Sequence, residues 1–277
     1  MLKALISIYQ SAGFVGILTS LRNRIVPIRS MNCSLIEALL SGKIGLEIGG
    51  PSRVFKKNGA LPIYPIAMGL DNVNFSDETI WEGAICKGKT FSYSFDKALG
   101  TQYISEASEL QIIKSSSYDF VISSHMLEHT ANPLRALSEW MRVIKVGGHL
   151  VLILPQRERT FDHKRPITTF AHLIEDYKNQ TKEDDLTHLS EILRLHDLKR
   201  DRPAGTPEEF ARRSANNYKN RCLHHHVFDT SLVTSMLNYL SLEIRTIEIV
   251  KPHHIIAIAQ KVPVGEQLDK CKGAGTR

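Results

Sequence analysis

Between Lys43 and Pro155, apolar runs alternate with amphipathic stretches, and this alternation predicts βαβ units around a parallel sheet. "KIGLEIGG" reads as the first strand, "LPIYPIAMGLD" as the second and "TQYISEA" as the third. "YDFVISS" and "GHLVLILP" follow as the fourth and fifth. Between those two, Leu134, Leu137, Met141 and Ile144 recur at helical spacing, with Asn132 suited to the N-cap and Pro133 to the first turn. Gly147 and Gly148 are its stop signals.

After Pro155 the pattern changes. Residues 156–222 are polar, charged and rich in histidine, with helical stretches around His172 to Lys178 and Leu186 to Leu198. The segment exceeds an ordinary connection, so it is expected to form an inserted helical lobe after the fifth strand. Over 223–262, "SLVTSMLNYL" reads as a helix, and "LEIRTIEIV" and "HHIIAIAQKV" as closing strands of the core begun at 39–155. Residues 263–277 read as a loose tail. Residues 1–38 read as a helical extension, with Leu2, Leu5, Ile6 and Tyr9 at helical spacing. Their apolar run is broken by Gln10, Ser11, Gly13 and Gly16, unlike a secretory signal or a transmembrane span. The arginines that follow, Arg22, Arg24 and Arg29, keep peripheral membrane contact as an alternative to packing on the domain.

Composition narrows the classes. Of 277 residues, 42% are hydrophobic and 23% charged, as in ordinary globular chains. The net charge of +6 is spread along the chain, without the basic run and interleaved aromatics of a nucleic-acid partner, so none is expected. Four cysteines lie far apart with no CxxC pair, which excludes a disulfide scaffold and fits a reducing, cytoplasmic setting.

The stretch "IGLEIGGPS" ends an apolar run in an acid and two glycines. A strand, a glycine-rich turn and a helix form a nucleotide-binding arrangement, because backbone approaches the ligand where no Cβ intervenes. The spacing does not match the dehydrogenase G-x-G-x-x-G, and Glu47 at the strand end suits an amine-bearing ligand better than a pyrophosphate. Asp71 stands near the distance at which an acid after the second strand holds ribose hydroxyls. Glu106, with Ala107 behind it, closes the third strand, where an acid accepts from an adenine amino group.

These residues, with "EASEL", "YDFVISSHMLEHTANPLRALSEWMRVIKVGG" and "HLVLILP", resemble a class I S-adenosylmethionine-dependent methyltransferase, closest to the group containing the ubiquinone O-methyltransferases. The resemblance covers Lys43 to Pro155 and the two closing strands. It implies a Rossmann-like, seven-stranded, mostly parallel sheet with helices on both faces. It also implies S-adenosylmethionine held by Glu47, Gly49, Gly50, Asp71, Glu106, Ala107 and Ser124. Pro51 stands where the second glycine of a G-x-G usually sits, and Val146 replaces the proline usual in K-P-G-G. An E-x-x-E-H stretch in the ubiquinone enzymes is linked to a divalent ion, and His125, Glu128 and His129 match it with one substitution.

Methyl transfer to a hydroxyl needs alignment and a base. His125 and His129 lie where the acceptor approaches, and Asp162 and His163 follow the fifth strand. Seven histidines fall between His163 and His226, most near a carboxylate. They position a base, ligate a metal, or form hydrogen-bonded contacts in a polar lid. Arg165, His188 and His225 are candidates to bind the acceptor. A polar lining with few aromatics, 7% of the chain overall, suits a sugar or saccharide, with an aromatic or natural-product hydroxyl as the alternative. Two other classes remain open, a non-catalytic binding module and a metal-dependent hydrolase.

Overall fold

The computed structural model describes residues 28–263. The amphipathic helix expected around Leu2 to Tyr9 and nearly all of the expected tail lie outside the described residues. The described chain runs α1 (Cys33–Leu40), β1 (Ile44–Ile48), β2 (Gly69–Asn74), β3 (Glu78–Thr79), β4 (Gly83–Ala84), β5 (Gly88–Phe91), β6 (Gly100–Ile104) and β7 (Tyr118–Ser124). It continues through α2 (Pro133–Val143), β8 (Ile144–Pro155), α3 (Phe170–Asn179), α4 (Leu189–Leu195), α5 (Pro207–Ala215) and α6 (Asn217–Asn220). It closes with α7 (Thr230–Tyr239), β9 (Leu242–Val250) and β10 (His254–Lys261).

Eight strands form the main sheet in the order β5-β6-β2-β1-β7-β8-β10-β9. β6, β2, β1, β7 and β8 are mutually parallel, while β10 runs antiparallel between β8 and β9. The strand beyond the seven expected is β5, an antiparallel edge strand on β6. The second strand also differs. Leu61 to Ala67 is an apolar turn region, and β2 starts at Gly69, so its carboxyl end is Asn74 rather than Asp71. The two prolines of "LPIYPIAMGLD" account for this, since each removes a ladder donor.

β8 shows why the central strands read as unbroken apolar runs. Leu150, Leu152 and Leu154 face one cluster with Trp140, Leu137, Val233 and Met236, while Val151 and Ile153 face another with Ile36, Leu40, Phe55 and Tyr64. Both faces are buried, so no polar alternation survives. Among the described residues, the second face is covered by one helix, α1, and by the irregular segment from Phe55 to Ala67 rather than by a full helical layer.

α2 begins as its sequence predicts. The Asn132 side chain accepts from Arg135 N at 3.1 Å, and its Nδ2 donates to the Asp176 carbonyl of α3 at 2.8 Å. α3 packs on the main core through Leu173. α4 and α5 instead share a small cluster of Ile192, Ala204, Phe210 and Leu223. α5 was not among the expected helices, although its capping box, Thr206 with Glu209, is legible in "TPEE". Among the described residues, no helix is long and apolar enough to cross a membrane.

Candidate active site

A cavity of about 620 Å³ opens at the carboxyl ends of β1, β2, β6 and β7. Parallel strands place their loops at this edge, and ligands of open α/β sheets bind there.

The loop after β1 is held from several sides. Gly50 N donates to Asn72 Oδ1 at 3.0 Å, and Asn72 Nδ2 and Asn74 Nδ2 donate to Gly50 O at 3.1 and 3.2 Å. Glu47 is fully buried, where it accepts from Ser52 N at 3.0 Å and from the Tyr64 hydroxyl at 2.8 Å. Burial pushes its carboxyl up to about 7, against the opposing pull of Ser52 and Tyr64. A Cβ on Gly50 would strike the Glu47 carboxylate at 2.2 Å. Glu47 therefore braces the turn from beneath and does not line the cavity, which corrects its expected role as a cofactor contact. Gly49 lines the cavity at φ +81°, a backbone that L side chains rarely adopt.

Asp71 is also corrected. It lies three residues inside β2, where it accepts from Thr101 N at 2.6 Å and from the Tyr118 hydroxyl at 2.7 Å. The cavity meets β2 through Asn74 and the following Phe75. Glu106, Ala107 and Ser124 line the cavity. Ala107 is anchored by Trp140, whose Nε1 donates to its carbonyl at 2.9 Å. Arg221 Nη2 donates to Glu106 Oε1 at 2.6 Å, and Nη1 pairs with Glu183 Oε2 at 2.9 Å. Burial pushes the Glu183 carboxyl up to about 7, the Arg221 charge opposing it. Glu183 and Arg221 thus fasten the segment after β8 onto the wall that carries Glu106.

Histidines make the other wall. His125 follows β7 at φ +51°, an uncommon backbone for a non-glycine residue and one that clusters at functional sites. Its Nε2 lies 2.8 Å from His254 Nδ1. His254 opens β10, with His253 just before it, and the strand runs antiparallel to β8 and so starts at the cavity edge. His129 Nδ1 meets the Leu223 carbonyl at 3.0 Å, so that nitrogen carries the proton and Nε2 keeps its lone pair. Burial and the neighbouring His224 push His129 down to about 4. His224 lines the cavity with Nδ1 2.5 Å from Asp162 Oδ2. Burial alone would lower His224, but Asp162 outweighs it and raises the imidazole above its usual value. Asp162 is held down to about 2, its burial outweighed by His224 and Arg165.

The expected triad of His125, Glu128 and His129 divides between two groups. Glu128, His129 and His224 have ligand-type atoms within 4.8 Å of one another, and so do His125, His253 and His254. Glu128 is buried, 3.6 Å from His125 Nδ1, with neither oxygen hydrogen-bonded among the described residues. Its burial is outweighed by His125, His129 and His224, which keep the carboxyl below its usual value.

The remaining candidates lie outside the cavity. His163 pairs with Asp197 at 2.8 Å. Arg165 is buried and spent on Asp162, Glu191 and the carbonyls of His224 and His225. His225 packs inward, 3.0 Å from Asn217 Nδ2, and His188 meets His172. Arg165 and His225 are therefore interior contacts and His188 a half-buried one, all outside the cavity, which corrects their expected place against the acceptor. Sequence reasoning missed His253, His254 and Arg221, and took the wrong member of the His224–His226 run. The antiparallel start of a closing strand at this edge was the available signal for the first two.

Residues 84–152 match the family model described as a methyltransferase domain. That segment spans β5 to most of β8 and carries Glu106, Ala107, Ser124, His125, Glu128 and His129. No curated protein matches the chain. The chain aligns with a solved S-adenosylmethionine-dependent methyltransferase from Aquifex aeolicus at 14% identity, over 87% of this chain and 93% of that one, with a TM-score of 0.45. A Methanosarcina mazei structure aligns at 18% over 82% and 97%, TM-score 0.46, and a Mesorhizobium loti one at 11% over 83% and 98%, TM-score 0.46. Gly49 leaves bare backbone and Glu106 and Ala107 an acid and an amide at the edge of one cavity, acceptor and donor groups that fit the amino-acid and adenine ends of such a cofactor. Over residues 84–152 the chain is similar to a methyltransferase domain, and the strand order and this cavity agree with that likeness.

Proposed function

We propose that the chain O-methylates a polar, hydroxylated small molecule of the sugar or saccharide type, with His224 as the general base. The observation that carries this reading is the Asp162–His224 pair at the cavity wall. Asp162 takes Nδ1, which leaves Nε2 to accept a hydroxyl proton, and it raises the basicity of the ring. Arg165, buried against the other Asp162 oxygen, keeps that carboxylate ionised and in place. When bound, S-adenosylmethionine supplies an electrophilic methyl group, so the protein's tasks are alignment and proton removal. His129 and Glu128 stand beside His224, and His125, His253 and His254 add polar ring edges. That lining suits an acceptor with several hydroxyls.

One observation favours a second reading, an aromatic hydroxyl acceptor. Phe75, Trp81 and Phe161 line the same cavity, more aromatic surface than the composition suggested. A panel of sugars, phenols and small hydroxy acids, assayed for methyl acceptance, separates the two. Turnover confined to phenols would sink the saccharide reading; turnover of polyols with phenols inert would support it.

A further inference from the structure

We propose that His172, His188, His226 and Asp176 form a binding site for a divalent transition-metal ion with zinc's coordination preference. The site is separate from the cavity, and none of its four residues lines it.

α3 supplies two of the groups. His172 and Asp176 stand i, i+4 on the helix and so share one face. His188 caps the approach to α4, and His226 comes from the extended segment before α7. His172 Nε2 lies 2.9 Å from His188 Nε2 and 3.3 Å from Asp176 Oδ2. His226 sits beside them, its Nε2 3.7 Å from the same oxygen and its Nδ1 free to ligate. One ring nitrogen from each histidine lies within 4.8 Å of the other two. Bonds of roughly 2.0–2.1 Å to a tetrahedral ion set neighbouring ligand atoms roughly 3.3 Å apart, close to the 2.9 and 3.3 Å that His172 Nε2 keeps to His188 Nε2 and Asp176 Oδ2.

A network of hydrogen bonds without an ion accounts for only part of this cluster. It satisfies the His172–His188 contact, but Asp176 Oδ2 and His226 Nδ1 are buried atoms with no hydrogen-bond partner among the described residues. His226 is 1% exposed, so water does not replace the missing partner easily. Its Nε2 lies 3.2 Å from the Ala131 carbonyl, an outer contact that fixes the ring as metal-bound histidines are fixed. Burial first, and neighbouring histidines second, hold His188 and His226 below their usual range. The ion joins three segments distant in sequence and anchors the stretch that carries His224 to the cavity wall. Its role is to hold that stretch in place, since it touches none of the cavity.

The test uses the purified full chain and cobalt(II) as the probe. One tightly bound cobalt with the absorption of a tetrahedral site is expected, displaced by zinc. His188→Gln, at a half-buried position, should weaken cobalt binding at least 100-fold. The pair His125→Ala and His254→Ala, in the cavity, should leave it unchanged. His188→Cys should keep the ion and add a thiolate-to-cobalt charge-transfer band, a signature that a misfolded variant does not give. S-adenosylhomocysteine binding, measured on each variant, reports the cavity independently. No cobalt bound by the wild type, or binding unmoved by His188→Gln, would overturn the proposal.

Discussion

His224 Nδ1 lies 2.5 Å from Asp162 Oδ2, while the other Asp162 oxygen accepts from Arg165 Nη1 at 3.0 Å. The histidine that faces the cavity is thus one step from a guanidinium that is 2% exposed. A charge chain of this kind sets the basicity of His224 from within the protein.

The first prediction follows from that chain. Asp162 raises His224 above its usual value, so kcat/KM should rise with pH through a value above 6.5. Asp162→Asn removes the raising charge. The limb should move to lower pH and kcat should fall about 10²-fold or more, since the tautomer is no longer fixed. Breaking a buried pair also costs about 3–5 kcal/mol, so the pH profile, not the bare loss of rate, is the informative readout. In the wild type, the stability that Asp162 contributes is present above its unfolded value near 3.8 and fades as pH falls toward 2. The His224 share runs the other way, present below 6.5 and lost as pH rises through its raised folded value.

The second prediction separates two acids that the sequence treats alike. Glu106→Ala should weaken S-adenosylhomocysteine binding about tenfold or more, measured by calorimetric titration, because Glu106 lines the cavity. Asp71→Ala should leave the affinity of the folded protein within about twofold. It should instead lower stability by about 1–3 kcal/mol, as Thr101 N and the Tyr118 hydroxyl lose their acceptor. Equal loss of affinity in both variants would return Asp71 to the cofactor.

The third concerns Trp140, which is fully buried and donates Nε1 to Ala107 O. Trp140→Phe keeps an aromatic ring but strands that carbonyl and leaves a void. A loss of about 2–4 kcal/mol in urea unfolding is expected, with weaker cofactor binding, because the Glu106–Ala107 turn loses its anchor. Unchanged affinity alongside lowered stability would confine Trp140 to packing.

Much of the fold was legible because the relevant signals are local. β7 runs from Tyr118 to Ser124 as its apolar run foretold, and α2 starts at the Asn132 cap with Pro133 in its first turn. β2 was misplaced because "LPIYP" is apolar enough for a strand, while its prolines send it to a buried turn. At the site, Glu106, Ala107, Ser124, His125 and His129 follow from positions at strand ends. Asp162 meeting His224 and Arg221 meeting Glu106 do not, because each pairing spans a long stretch of chain and depends on how the segment after β8 folds back. Three consecutive histidines offer three directions, and spacing alone does not say that His224 faces the cavity while His225 faces Asn217.

The last prediction turns on Glu47, whose carboxyl burial raises to about 7 from an ordinary 4.5. A raised carboxyl favours the folded state while it stays protonated. Its contribution is therefore complete below pH 4.5 and is lost as pH rises through 7. The swing is about 3 kcal/mol at one pKa unit per 1.36 kcal/mol. Glu47→Gln keeps an oxygen to accept from Ser52 N or the Tyr64 hydroxyl but does not titrate. Relative to the wild type, it should therefore gain about 3 kcal/mol between pH 4.5 and pH 8, read by urea unfolding at both. Cofactor affinity should change little, because Glu47 supports the Gly49–Gly50 turn from below. A variant that tracks the wild type at both pH values would show that Glu47 is already ionised in the fold, and a collapse of cofactor affinity would restore its carboxylate to the cavity.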